Sequence, residues 1–248
     1  MRVAKRRFFF GCNFLGAVLV LAGCSRIPGR PGPGPEVVRP DEVLSFSALY
    51  KANCAACHGA NGRDGAAISL ANPVYLAIAG EGTLRTITAK GVPGKLMPAF
   101  AKSAGGMLTD QQINVLVHGM MQEWGKADMF SASGLPAYSV MSAGDAGRGQ
   151  EAFGVFCARC HGANGEGSAG DAKSGTGKVG SIVDGSYLAL ISDQGLRSIV
   201  IAGRPDEGMP DWRSDGSQPM TEQQITDIVA WLASKRVVDP GQPYAVKP

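Results

Sequence analysis

The sequence predicts an all-α chain built from two tandem repeats, and three observations carry that prediction. A Cys-x-x-Cys-His motif occurs twice, as CAACH at Cys54–His58 and as CARCH at Cys157–His161. Residues well beyond each motif recur in the same order in both halves. Helix start and stop signals also recur, whereas the period-2 alternation of a half-buried strand is nowhere convincing.

The motif spacing reads as covalent haem attachment, so two haem c groups are expected. Two thiols add across the vinyl groups of one porphyrin, and the adjacent imidazole, carried past the second thiol by a turn of helix, reaches the iron from one face. Cys54, Cys57, Cys157 and Cys160 are the expected attachment points, with His58 and His161 as iron ligands. A zinc ribbon would place its second Cys pair about 15–20 residues after the first. Here Cys157 lies 100 residues after Cys57. A redox-active thiol pair needs a βαβ context, which neither copy has.

Around the motif the repeat runs at an offset of 103, matching CAACHGANG to CARCHGANG. Beyond it the offset is 112, pairing Tyr75 with Tyr187, Arg85 with Arg197, Gly91 with Gly203, and Met97-Pro98 with Met209-Pro210. The second copy therefore carries nine extra residues within the glycine-rich stretch from Gly165 to Gly180, read as a surface loop. Two domains follow, 42–124 and 145–236, joined by the small-residue linker 125–144 and ending in a tail over 237–248. In each, one helix runs into the motif. A second, near Leu84–Lys90 or Leu196–Ala202, stops at Gly-x-Pro. A final helix starts at a capping box, Thr109-x-x-Gln112 or Thr221-x-x-Gln224. Domains this small bury a limited core unaided, so a large apolar cofactor belongs to each fold.

The sixth iron position separates an electron carrier from an enzyme. Met97 and Met209 coincide in the repeat within Met-Pro-x-aromatic, between the middle and final helices, and are the expected axial ligands. Met107 and Met220 do not recur, aligning with Pro219 and Leu108. Methionine is more often core filler than ligand, and the coincidence decides for ligation. A thioether ligand raises the reduction potential relative to a second imidazole.

The remaining cysteines are Cys12 and Cys24. Residues 1–23 have the layout of an export signal, with four early cations and an apolar run from Phe8 to Ala22, and Leu21-Ala22-Gly23-Cys24 resembles a bacterial lipoprotein signal. Cys24 is then the lipidated first residue of the mature chain. An uncleaved anchor helix, or an ordinary signal with a fortuitous Cys, is the alternative. Either way the protein works outside the cytoplasm, held at a membrane. Residues 24–41 read as a Pro/Gly-rich tether, about 50 Å long if largely extended as polyproline II. The signal holds four cations and no acid, so its removal turns the net charge of +3 into −1. The basicity gives no support to nucleic-acid binding, which needs a clustered basic face.

With both motifs and both Met-Pro pairs in view, residues 42–236 resemble class I cytochromes c and, as a tandem pair, dihaem cytochromes of the c4 type. The resemblance implies N- and C-terminal helices that cross, His58 and His161 proximal, Met97 and Met209 distal, and a haem edge near the surface. It also implies a proline carbonyl holding the proximal imidazole: Pro73 serves in the first domain, while the second has Gly185. At the helix crossing, Phe46 is expected over Gly119 and Trp231 over Gly149, a swap that roughly preserves volume. His118 is expected to be solvated, and Tyr75 and Tyr187 to pack in the haem pockets. Arg85 and Arg197 either pair with haem propionates or lie exposed.

These expectations add up to a dihaem electron carrier, lipid-anchored on the periplasmic side of a bacterial membrane, with no small-molecule substrate. It passes single electrons from a donor complex to a terminal oxidase or reaction centre, either freely or as a fixed complex subunit. The alternative is a haem enzyme such as a dihaem peroxidase or sulfur-compound dehydrogenase, which needs a vacant iron with acid/base groups beside it.

Overall fold

Caps set the helix boundaries in the computed structural model, which describes residues 34, 37–126, 134–169, 178–213 and 218–237. The chain divides into the units Met1–Pro40 and Asp41–Pro248. The first is described only at 34 and 37–40, so the export signal, Cys24 and most of the tether lie outside the described residues, as does the tail from 238. In the second unit, the described residues form α-helices, short 3-10 turns and isolated bridges, with no strand among them. The expected all-α class holds.

Each half follows one plan. Helix α1 (Phe46–Asn53), capped by Ser45, runs into Cys54, and the four-residue turn α2 (Ala55–His58) carries the motif. In the second half α5 (Ala146–Phe156), capped by Asp145, runs into Cys157, and α6 (Ala158–His161) repeats that turn. The middle helix is longer than its expected span. Helix α3 (Pro73–Lys90) starts at the Asn72 cap with proline in its first turn, and Gly80 interrupts it at φ 65° and ψ 162°. The second half makes the break with separate helices, α7 (Gly185–Leu190) and α8 (Asp193–Ala202), the latter capped by Ser192. Ser192 aligns with Gly80 in the repeat, so a left-handed glycine and a serine cap produce the same interruption. Both final helices, α4 (Asp110–Trp124) and α9 (Glu222–Ser234), begin with complete capping boxes.

The helix crossings exchange large and small as expected. A Cβ on Gly119 would sit 2.3 Å from the Phe46 ring, which also packs on Tyr50 and Trp124. At Gly149 the intruding atoms are backbone, with the Asp227 carbonyl oxygen at 2.0 Å and Trp231 Cβ at 2.8 Å. Gly144 repeats this, with the Thr226 carbonyl oxygen at 2.7 Å. The α5–α9 backbones therefore approach closely, while a ring fills the gap between α1 and α4. Phe153 and Trp231 are both fully buried, with ring centroids 4.3 Å apart, and each burial contributes roughly 2–3 kcal/mol.

Polar groups close the second crossing. Asp227, almost fully buried, accepts from Arg148 at 2.9 and 3.1 Å, from the Asp145 N–H at 2.7 Å and from Gln223 at 2.8 Å. Burial alone would raise its carboxyl, but these donors outweigh it and hold the group below the usual carboxylate range. The linker is strapped to the second half by Arg197, whose side chain is fully buried. Arg197 donates to the Ala137 carbonyl at 2.8 Å, the Tyr138 carbonyl at 3.2 Å and Thr226 Oγ1 at 3.1 Å, and it pairs with Glu222.

Candidate functional site

One continuous cavity of about 2300 Å³ is lined by Cys54, Cys57, His58 and Met97 from the first half and by Cys157, Cys160, His161 and Met209 from the second. Leu84, Ile87, Leu116 and Val200 add apolar walls. All eight residues singled out in the sequence for haem binding thus meet in one space. Cys24 lies outside the described residues.

The motif turns are superposable in their bonding. His58 N–H donates to the Cys54 carbonyl at 3.0 Å, and His161 N–H to the Cys157 carbonyl at 3.0 Å. None of the four motif cysteines is in a disulfide, and Cys57 and Cys160 are exposed and therefore reachable. Burial, and then the neighbouring motif cysteine, pushes Cys54 up to about 11 and Cys157 up to about 12, so before attachment both are thiols at neutral pH. Burial lowers the pKa of both His58 and His161, favouring the neutral imidazole that ligates iron.

The imidazoles differ in their second contact. His58 Nδ1 lies 2.8 Å from the Ile68 carbonyl oxygen, which holds the ring and leaves Nε2 for a metal. Ile68, not Pro73, therefore supplies the carbonyl. Pro73 is occupied in the first turn of α3. In the second half Gly180 aligns with Ile68, and His161 Nδ1 is buried with no partner among the described residues.

Both methionine loops are pinned alike. Val92 N–H donates to the Met97 carbonyl and Arg204 N–H to the Met209 carbonyl, each at 3.0 Å. The preceding helices end at Gly91 (φ 67°) and Gly203 (φ 66°). A Cβ there would lie 2.6 Å from the Met97 carbonyl oxygen or 2.4 Å from that of Pro210, so only glycine lets the loop return over the cavity. Met107 is 82% exposed. Met220 lines the cavity but is buried at the position of buried Leu108, a matched core site. The thiols, the neutral imidazoles, the half-buried thioethers and the apolar walls fit two haem groups.

Other sequence candidates fall elsewhere. Arg197 straps the linker and makes no cavity contact, so it is not a propionate partner, and Arg85 is exposed. His118 is exposed, with Nδ1 3.6 Å from Glu81. Tyr75 and Tyr187 line the cavity as expected, and desolvation raises both phenols. Among the lining residues that the sequence does not mark are Tyr138 in the linker and Arg204, which aligns with Val92. Neither recurs in the repeat, so no signal marked them.

The two halves also bond directly. Asn72 Nδ2 donates to the Ala202 carbonyl at 2.8 Å, Lys95 Nζ to the Ala189 carbonyl at 2.7 Å, and Arg204 Nη2 to the Gly65 carbonyl at 3.0 Å. Asp64 N–H donates to Asp206 Oδ2 at 3.1 Å.

Each half of the chain matches a known cytochrome family. Residues 146–235 match the family described as cytochrome c. Residues 41–120 match the family described as cytochrome c oxidase, cbb3-type, subunit III. A curated relative, the cbb3-type cytochrome c oxidase subunit CcoP of Azospirillum sp. (strain B510), is 28% identical over 158 residues, which cover 57% of this chain and 48% of the relative. The chain thus spans about half that relative's length. A solved chain of the reducing HAO-like protein complex of Kuenenia stuttgartiensis aligns with a TM-score of 0.42 at 16% identity, over 82% of this chain and 99% of that one.

Proposed function

Because the chain is a dihaem cytochrome c with two class I domains, we propose that it passes single electrons between protein partners outside the cytoplasm. When bound, each haem supplies a one-electron iron couple whose potential the axial ligands set. Cys54 and Cys57 hold one haem and Cys157 and Cys160 the other. His58 and Met97 would ligate the first iron, and His161 and Met209 the second. The partners are redox proteins, with a terminal oxidase of the kind to which the CcoP relative belongs as the acceptor. The chain acts as a carrier or a fixed subunit of that complex, lipid-anchored through Cys24 on the periplasmic side. It is not a catalyst, because a closed iron leaves no position for a reactant.

The shared cavity carries this reading, since one space receives both attachment motifs and both methionines. Two haems held there would share one space, with no separate compartment for either. Redox titration with optical and magnetic spectroscopy should give two one-electron steps and His/Met signatures at both irons. Bis-imidazole or five-coordinate spectra at either iron would reject the ligand assignment. Membrane extraction with mild detergent should show the chain either alone or with oxidase subunits.

A further inference from the structure

Arg204 carries a contradiction that the protein alone does not resolve. Its side chain is only 16% exposed. Nη2 is well used, donating to the Gly65 carbonyl at 3.0 Å and to Glu207 at 2.8 Å, with Asp206 Oδ2 at 3.7 Å. Nε is buried and has no partner among the described residues. A buried donor left unpaired costs about 1–3 kcal/mol, more when charged. Arg204 lines the cavity, and its main chain is doubly bonded to Met209 through N–H to carbonyl contacts of 3.0 and 2.9 Å. An anion inside that cavity is the natural acceptor, and the carboxylates of a bound haem are the anions a dihaem protein brings there.

We propose that Arg204 is a positioning residue that clamps the two halves together and donates through Nε to a carboxylate of the second haem. The inference rests on the dihaem reading and goes beyond it, because it couples a haem's redox state to the junction between the domains. A guanidinium suits both tasks, since its fixed fork addresses a carbonyl and a carboxylate at once. Its positive charge stabilises the more negative ferrous state. The Gly65 contact keeps that charge in place only while the halves are docked. The repeat does not mark this position, because residue 92 in the first half is valine.

The test is a potentiometric titration of the full holoprotein with Arg204→Gln, Arg204→Lys, Glu207→Gln and Asn72→Ser. Arg204→Gln should shift one haem's ferrous-to-ferric ratio at fixed ambient potential about tenfold toward ferric, equivalent to about 59 mV for a one-electron couple. Arg204→Lys should shift it less, and Glu207→Gln should shift it the other way. Asn72→Ser keeps a helix cap but loses the amide donor to Ala202, so both potentials should stay within about twofold. Unmoved potentials in Arg204→Gln would overturn the proposal and assign Nε to water. An equal shift in Asn72→Ser would overturn it in favour of a loosened junction. If Arg204→Gln does not mature, the lysine and Glu207 variants decide by the same signs. Haem content separates the two readings: fewer than two haems per wild-type chain rejects the dihaem assignment, whereas two haems with unmoved potentials reject only the clamp.

Discussion

The two halves of this chain hold the same site on differently built cores. The motif turns and the capping boxes agree bond for bond, and each methionine carbonyl accepts from the residue after the helix-ending glycine. The helix crossings do not agree. In the first half the Phe46 ring spaces α1 from α4 above Gly119. In the second, Gly149 and Gly144 bring α5 against the α9 backbone, and the buried Asp227 network joins the crossing. The lesson is that a haem site fixes the atoms that face it and leaves the far packing free, provided volume at the crossing is conserved.

Substitutions sharpen this comparison, beginning with the glycines. Gly149→Ala places a methyl against the Asp227 carbonyl, which cannot rotate away, and should cost about 3 kcal/mol. Gly119→Ala meets the edge of a ring that can turn and should cost about 1 kcal/mol. Thermal melts of the two holoprotein variants measure the gap, and equal losses would break the asymmetry. The aligned arginines come next. Arg197→Ala removes the buried linker strap and should cost about 2–3 kcal/mol, whereas exposed Arg85→Ala should stay within about 0.5 kcal/mol.

Acid should also separate the halves. Asp227 is held below its ordinary pKa, so its contribution is complete above about pH 4, the unfolded carboxyl value, and is lost as pH falls through the lower folded value. The first half has Val115 at that position. Denaturant melts below about pH 4 should therefore show the α5–α9 crossing weakening in the wild type, and Asp227→Asn should flatten that dependence while costing about 1–2 kcal/mol at neutral pH. The smallest effects should be equal ones. Thr109→Ala and Thr221→Ala each remove a capping-box hydroxyl and should each cost about 1 kcal/mol.

Most of the fold was legible because each half repeats the same start and stop chemistry. CxxCH, Gly-x-Pro and Thr-x-x-Gln are local codes, and the swap of Phe46 and Gly119 for Gly149 and Trp231 could be read from two aligned positions. The failures share one cause: alignment equates chain positions, not surroundings. Arg85 and Arg197 align, but the described linker residues pack beside the second, so only Arg197 is drawn inside. The first piece of the middle helix, 73–79, carries no signal in the sequence because Gly80 ends its periodicity. Ile68 supplies the carbonyl in place of Pro73 because Asn72 caps a helix that takes Pro73 into its first turn. Tyr138 and Arg204 line the cavity from the linker and from the second methionine loop, at positions that do not recur in the first half, so no motif encodes them.

The central claim is that both irons are closed by Met97 and Met209, so that only electrons enter or leave. Carbon monoxide mixed with the ferrous holoprotein tests it most directly. No rapid binding to the wild type is expected, with uptake by one haem in Met97→Ala and by the other in Met209→Ala. Rapid binding to the untreated wild-type protein would contradict it.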